Sequence, residues 1–90
     1  MKRFSWSPEK NEQLRRERGI TLEEIVLRIE KGDVLDLLEQ QNQERYAGQR
    51  LFIVEVDSYA FLVPFVESEA EIFLKTIIPS RKATRTYLGE

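Results

Sequence analysis

The fold is decided by residues 50–67, which read RLFIVEV, then DS, then YAFLVPFVE. Both runs are rich in residues that favour β-strands, and only the pair Asp57-Ser58 separates them. This spacing predicts antiparallel strands at Arg50–Val56 and Tyr59–Glu67, joined by a tight turn. In the second run, alternate apolar side chains share one face: Tyr59, Phe61, Val63 and Phe65. Pro64 has no amide hydrogen to donate, which predicts an edge strand or a bulge there.

Two further strands flank this pair along the chain. Val34–Leu38 precedes it, and Glu71–Ile78 follows it after a turn at Ser68–Ala70. The intervening stretch Gln40–Gly48 is polar and rich in turn-forming residues. Because the connections between the last strands are short, we expect a four-stranded antiparallel meander.

Local start and stop signals predict three helices. Ser7 precedes Pro8, a residue suited to the first helical position, and Gly19 ends the helix over Pro8–Arg18. Thr21 and Glu24 form a capping box, which starts a second helix that closes at Lys31-Gly32. The third helix is expected over Arg81–Leu88, with Ser80 as its cap.

The remaining elements and the composition indicate one small domain over residues 1–90. The apolar share is 41% and the charged share 33%, a globular mixture that speaks against disorder. Phe4 and Trp6 lie on one side of an extended stretch, which predicts a short first strand. The sequence therefore predicts an α+β fold: a short strand, two helices, the meander and a short C-terminal helix.

Two residue types are absent, and this excludes several kinds of chemistry. Without cysteine there is no disulfide and no thiolate zinc site. Without histidine, Ser-His-Asp and Cys-His catalysis and histidine metal ligation are excluded. The longest apolar run, Tyr59–Val66, is interrupted by Pro64 and is too short to cross a bilayer. The residues after Met1-Lys2-Arg3 are not those of a signal peptide, so we expect a cytoplasmic protein.

Charge is segregated along the chain, whose formal net charge is −2. Residues 1–18 and 75–90 each carry +3, whereas residues 19–50 carry −3 and residues 51–74 carry −5. If the two basic ends meet in space, they form a basic face that attracts phosphate or an acidic partner. The alternative is that these charges are simply solvated.

The basic end contains the candidate binding residues. Lys75 projects from an otherwise apolar strand, and Arg81 and Arg85 share one side of the predicted helix. Together with Lys82 and the Ser80 hydroxyl they could hold a phosphate. Three tyrosines supply rings on which bases can stack: Tyr46, Tyr59 and Tyr87. The alternative is a terminal helix with solvated charges and one tyrosine packed as an anchor.

A metal site is the weaker interpretation of the acidic residues. Glu67, Glu69 and Glu71 alternate, but hard cations need oxygen ligands that converge from several elements. A solvated turn between two strands explains the alternation better. The sequence therefore predicts no metal and no cofactor.

Both ends of the chain resemble BrnT-type toxins. The opening FSWSPEKN at residues 4–11 and RGITLEE at residues 18–24 are similar to the start of that family. The closing IIPSRKAT at residues 77–84, with Tyr87, resembles its Ile-Ser-Ala-Arg-Lys-Ala ending. The resemblance implies a RelE-like fold, inhibition of translation through RNA cleavage, and a ribbon-helix-helix antitoxin in a type II toxin–antitoxin pair.

These observations together predict a metal-independent ribonuclease toxin. The RNA 2′-hydroxyl would attack the adjacent phosphate while Arg81 and Arg85 stabilise the developing charge. Lys75 or Lys82 would bind a flanking phosphate or protonate the leaving oxygen. The base would be a carboxylate, with Glu67 as the candidate, a lysine of lowered pKa, or no side chain at all. RNA contacts are expected from Ser80, Tyr46 and Tyr87.

A second hypothesis is a non-catalytic interaction module that binds a partner or nucleic acid through the same basic face. In either case, residues 50–66 contain more apolar strand than a small helix pair can cover, and an exposed strand edge invites a partner. We therefore expect a complex with a basic antitoxin segment, and a homodimer is the assembly expected for the protein alone.

Overall fold

The structure, a computed structural model, describes residues 2–89, so the outermost positions of the predicted domain lie outside the described residues. The helices in this part of the chain are α1 (Pro8–Arg18), α2 (Leu22–Glu30) and α3 (Arg81–Leu88). The strands are β1 (Arg3–Ser5), β2 (Val34–Glu39), β3 (Gln49–Val56), β4 (Tyr59–Glu67), β5 (Glu71–Leu74) and β6 (Ile78–Pro79). The predicted α+β class is confirmed.

The predicted meander forms most of a mixed sheet. The strand order is β1-β5-β4-β3-β2, and β2, β3, β4 and β5 are antiparallel to their neighbours. β1 adds to β5 in parallel, with Arg3 opposite Glu71, and β6 pairs with β4. The first strand is therefore confirmed, while its parallel partner is a feature that the sequence did not predict.

The turn between β3 and β4 has the geometry of a tight hairpin. Asp57 and Ser58 have φ angles of 52° and 67°, both in the left-handed region. A type I′ turn requires positive φ at both central residues, and its twist matches that of the flanking strands. The two strands pair in continuous register from Val56 opposite Tyr59 outward.

Pro64 lies in a central strand, so the edge alternative is wrong. The other alternative, a bulge, is present, because the register shifts by one residue between the Phe65–Leu74 pair and the Leu62–Ile78 pair. The Pro64 carbonyl accepts a hydrogen bond of 2.8 Å from the Lys75 amide, and its ring nitrogen therefore faces the same neighbour. Because proline cannot donate in return, the ladder is interrupted at this point. β5 ends at Leu74 and β6 begins at Ile78, so the strand predicted over Glu71–Ile78 is divided in two.

The helices begin where the sequence predicts. Each cap hydroxyl accepts a hydrogen bond from a backbone N–H three residues later: Ser7 from Lys10, Thr21 from Glu24, and Ser80 from Ala83. Gly19, at φ 68°, ends α1 in a left-handed conformation that costs glycine little. Cap and stop signals are local, and this explains why sequence alone predicted these bounds.

The main core lies between the sheet and the helix pair α1 and α2. Leu14 of α1 and Leu22 and Ile25 of α2 are buried in it. They pack on the buried sheet residues Val54, Val56, Val63, Phe65 and Leu74, and on Ile77 in the segment between β5 and β6. Burying each such side chain stabilises the fold by about 1.5–3 kcal/mol. Trp6 is half-buried and packs against this core.

The opposite face of the sheet carries α3. The buried Thr84 accepts a hydrogen bond of 2.9 Å from the Ala60 amide and donates one of 2.8 Å to the Ser80 carbonyl. The Ser80 amide in turn donates to the Ala60 carbonyl over 3.0 Å. These bonds fix α3 over the start of β4. Within residues 2–89, none of the helices has the length and apolar character needed to span a membrane.

Candidate nucleic-acid interface

α3 covers only part of its face of the sheet and leaves an apolar surface uncovered. Leu38, Leu51 and Pro64 are register partners across three strands, and Leu62 is paired with Ile78 in the next row. Side chains directly opposite each other in a sheet project from the same face. Leu38 is 38% exposed and Ile78 is 39% exposed. Leu51 and Leu62 are half-buried and Pro64 is buried beneath them. We call the surface formed by these five residues the open face.

A groove of about 360 Å³ separates α3 from the open face. Leu38, Leu51 and Leu62 line it on the sheet side, and residues 39–41 lie at its end. The α3 side supplies polar groups to the same groove: Ser80, Lys82, Thr86 and Tyr87. The groove therefore combines an apolar wall with a cation and hydroxyl groups.

A second depression, of about 490 Å³, continues the groove across the open face. Pro64 and Ile78 line it together with Lys10, Tyr46 and Lys75, and Gln40 lines both cavities. The structure thus gathers five of the predicted site residues around one surface: Ser80, Lys82, Tyr87, Tyr46 and Lys75.

The two lysines predicted for the site have free charges. Among residues 2–89, no carboxylate oxygen lies within 4.0 Å of the side-chain nitrogen of Lys75 or Lys82. Arg28 of α2, by contrast, contacts three carboxylates. The Lys75 ammonium lies 5.7 Å from the centre of the Phe73 ring, a contact that leaves the charge available. Both lysines can therefore meet a phosphate without first breaking an ion pair.

Arg81 and Arg85 lie apart from the two lysines. They line a depression of about 410 Å³ with Ser58, Tyr59 and Thr84, at the end of the sheet where the β3–β4 hairpin turns. We call these five residues the arginine pocket. In the described part of the chain, neither guanidinium has a carboxylate within 4.0 Å. The predicted cations therefore divide into two groups, one on the open face and one in this pocket.

Glu67 belongs to neither group. It is opposite Ile72, a residue that packs on the α1–α2 core, so it projects from the other face of the sheet. Eight residues of strand, roughly 27 Å, separate it from Tyr59. Its carboxylate contacts Lys2 at 2.6 Å and Arg50 at 3.4 Å, and the hydrogen bond from Lys2 lowers its pKa. The structure does not bring the predicted base to the predicted cations.

Tyr87 makes a specific contact as well as lining the groove. Its hydroxyl donates a hydrogen bond of 2.6 Å to the Asp36 carboxylate of β2. This bond lowers the pKa of Asp36 and raises the pKa of Tyr87. The ring contributes to the wall of the groove while the hydroxyl is held by the strand.

Several residues of these surfaces were not predicted from the sequence. Lys10 belongs to a surface helix, and nothing nearby in sequence indicates that it lines the same depression as Lys75. The hydrogen bond between Asp36 of β2 and Tyr87 of α3 joins residues far apart in the chain, and no sequence pattern indicates it either. Thr84 could have been noticed, because it follows the cap residue Ser80 by one helical turn and a buried threonine needs a hydrogen-bond partner.

No family model, curated protein or solved structure matches the chain. Among residues 2–89, no group of three or more aspartate or glutamate side chains is placed to hold a metal ion.

Proposed function

We propose that the protein is the toxin of a type II toxin–antitoxin pair, with a RelE-like fold, and that it cleaves RNA in the cytoplasm without a metal ion. The observation that supports this best is the open face, where an exposed apolar surface is bordered by two free lysines and two tyrosines. The closing sequence, which resembles the BrnT ending, supplies Ser80 and Lys82 to that border.

The open face suits a single strand of RNA. Bases of any sequence can stack on aromatic rings, and Tyr46 and Tyr87 line the two cavities of this face. Phosphates carry the charge that Lys75 and Lys82 can neutralise, and this supplies sequence-independent affinity. The net charge of −2 makes a local basic surface necessary for such binding.

Cleavage in this proposal uses the nucleophile that RNA itself carries. The 2′-hydroxyl loses its proton to a water molecule as its oxygen bonds to the adjacent phosphorus. The bond from phosphorus to the 5′-oxygen breaks, and that oxygen takes up a proton. The products are a 2′,3′-cyclic phosphate and a 5′-hydroxyl. Lys75 and Lys82 stabilise the negative charge that develops on the phosphoryl oxygens, and one of them protonates the leaving oxygen.

The proposal assigns no side-chain base to this reaction. Glu67, the carboxylate candidate from the sequence, projects from the opposite face of the sheet. Positioning of the strand and electrostatic stabilisation of the phosphate therefore carry the rate enhancement.

The antitoxin of this proposal is a ribbon-helix-helix protein with a basic segment. Residues 51–74 carry −5 and include Glu69 and Glu71, which attract such a segment. β2 is an edge strand with Leu37 43% exposed, so it offers backbone groups and apolar surface beside the acidic strands.

A non-catalytic interaction module remains the second candidate. It is favoured by the same open face, because Leu38 and Ile78 are exposed there and no base is assigned. An apolar segment of a protein partner could cover this surface without any reaction.

The decisive experiment is induced expression with and without the neighbouring open reading frame, scored for growth and RNA integrity. We expect growth arrest and RNA cleavage that persists in purified reactions containing a chelator. Lys75→Ala and Lys82→Ala should each lower the cleavage rate by about 100-fold or more.

Arg16→Ala is the matched control, because it removes one positive charge from α1 on the opposite side of the sheet. It should cleave RNA as the parent does. If the parent protein leaves RNA intact but still binds a protein partner, the result would favour the interaction module instead.

A further inference from the structure

We propose that a second copy of this chain docks at a depression beside Trp6, and that the exposed Leu27 of each copy fills the depression of the other. The depression belongs to the α1–α2 side of the sheet, opposite the open face. The inference goes beyond the proposed function, because it concerns neither RNA nor the open face. It assigns the surface through which the protein associates with itself.

The depression lies at the edge of the sheet that β1 forms, where α2 covers the core incompletely. It measures about 640 Å³, and its apolar wall consists of Phe4, Trp6, Val26 and Ile72. Phe4 and Ile72 are register partners, and all four side chains are half-buried and pack against the main core. The core therefore holds the wall in place and leaves room for an apolar side chain from outside. We call these four residues the Trp6 depression.

Leu27 is the apolar side chain that fits this depression. It is 57% exposed on α2, more than any other large hydrophobic residue among residues 2–89. Val26 of the wall precedes it directly, and Glu30 at the rim follows it by one helical turn. A projecting side chain and a depression thus lie next to each other on one surface. A contact with two-fold symmetry needs this arrangement, because each copy then offers one feature and receives the other.

The charges at the rim are complementary to themselves. Arg3 of β1 and Glu30 of α2 are both exposed and border the depression from different elements. Within residues 2–89, neither of them has an oppositely charged side-chain atom within 4.0 Å. Lys2, the other charge at the rim, is already paired with Glu67. In a two-fold dimer the Arg3 guanidinium of each copy meets the Glu30 carboxylate of the other, so both charges are paired twice over.

The open face does not offer a second copy the same fit. Lys10, Lys75 and Lys82 border it, and in the described part of the chain none of them is paired with a carboxylate. Two such borders brought together would repel each other, because like charges would face one another. The Trp6 depression is therefore the surface that a second copy fits, and both open faces stay accessible in the dimer.

Sedimentation equilibrium of the purified chain tests the association, and the fluorescence of Trp6, the only tryptophan, reports on the surface itself. From micromolar to millimolar concentration, the mass should rise from monomer to dimer and the Trp6 emission should shift to shorter wavelength. Leu27→Asp should weaken the association by at least about 100-fold, because the dimer loses two apolar contacts worth about tenfold or more each. Val66→Asp is the matched control. It places the same charge at an exposed apolar position on the opposite face of the sheet and should associate as the parent does.

A charge exchange separates a contact between copies from an effect within one chain. Arg3→Glu and Glu30→Arg should each associate with themselves more weakly by about tenfold or more, because like charges then meet across the two-fold axis. An equal mixture of the two variants should regain the parent affinity. In the mixed dimer each residue at position 3 again faces an opposite charge at position 30, which no contact within one chain can reproduce.

Thermal melting shows which variants remain folded. The inference is overturned if the parent stays a monomer at millimolar concentration, or if Val66→Asp abolishes association while Leu27→Asp does not. A mixture of the two charge variants that stays monomeric would also overturn it. None of these measurements involves RNA, so they decide the inference separately from the proposed ribonuclease activity.

Discussion

The Tyr87 hydroxyl and the Asp36 carboxylate join the last helix to an edge strand of the sheet through a hydrogen bond of 2.6 Å. Asp36 also accepts the amide of Leu37, so its carboxylate is held from two sides. This contact sets the width of the groove, because Tyr87 forms its α3 wall while Leu38, two residues after Asp36, lines the strand side.

Removing this hydrogen bond should change how stability depends on pH. The pKa of Asp36 lies below its ordinary value of 3.8, and that of Tyr87 lies above 10.0. The lowered carboxyl pKa gives stability that is lost as the pH falls, and the raised tyrosine pKa gives stability that is lost as the pH rises. The melting temperature of Tyr87→Phe should therefore lie below that of the parent by a constant amount between about pH 5 and pH 9.

Outside this window, below about pH 4 and above about pH 10, the difference between the two proteins should shrink. If the difference in melting temperature between parent and variant stayed the same across the whole pH range, the hydrogen bond would make no pH-dependent contribution to stability.

Thr84→Val should destabilise the protein by about 1–3 kcal/mol, because the Ala60 amide would then be buried without an acceptor. Thr84 is only 4% exposed, so water cannot replace the lost oxygen easily. Thr84→Ser keeps the hydroxyl and should cost less. Urea unfolding of the three proteins measures this, and equal losses in the serine and valine variants would point to packing instead of the hydrogen bond.

Thr21→Ala should cost about 1 kcal/mol, the usual effect of removing an N-cap side chain. The Thr21 hydroxyl accepts the Glu24 amide at 3.3 Å at the start of α2, a helix that buries Leu22 and Ile25. Thr21→Ser supplies the same oxygen and is the control. A denaturation midpoint unchanged by the alanine substitution would contradict the capping role.

Ser58→Gly should stabilise the hairpin by about 0.5–1 kcal/mol. Ser58 has a φ of 67°, where a side chain is strained and glycine is not. Ser58→Val, which places a β-branched side chain at the same φ, should shift stability in the opposite direction. Chemical denaturation compares the two, and a destabilised glycine variant would show that chain entropy outweighs the strain.

Glu67→Gln should leave the rate of RNA cleavage within about twofold of the parent, because Glu67 takes no part in the proposed reaction. Removal of a true general base typically slows a reaction by at least about 100-fold. Its carboxylate is paired with Lys2 and Arg50 on the face opposite the free lysines. Single-turnover cleavage is the measurement, with Lys82→Ala as the impaired reference. A large loss in a well-folded Glu67→Gln protein would restore the role that the sequence suggested.

The sequence predicted the helices and the hairpin well because their signals are local. Ser7, Thr21 and Ser80 cap helices through contacts three residues away, and the turn at Asp57-Ser58 needs only its two strands. The division between β5 and β6 was missed because it depends on Pro64 in a neighbouring strand.

The candidate site was predicted less completely, for a similar reason. Helical spacing places Arg81 and Arg85 on one side of α3, but only the contacts of Thr84 and Tyr87 determine which side meets the open face. The role of Glu67 stays a prediction, but its separation from the predicted cations could have been foreseen. Glu67 is two residues after Phe65 in β4, so both side chains project from the same face of the sheet. The alternating pattern had already assigned that face to apolar residues.

The pairing of β1 with β5 also bears on the order in which the protein can be completed during its synthesis. Arg3 lies opposite Glu71, so β5, the strand with which β1 pairs, is synthesised 68 residues after β1. At about 5–20 residues per second, translation leaves β1 and the neighbouring Trp6 without their partners for about 3–14 seconds. During that interval Phe4 and Trp6 lack the contacts that half-bury them in the finished fold, so more of their apolar surface is accessible to other proteins.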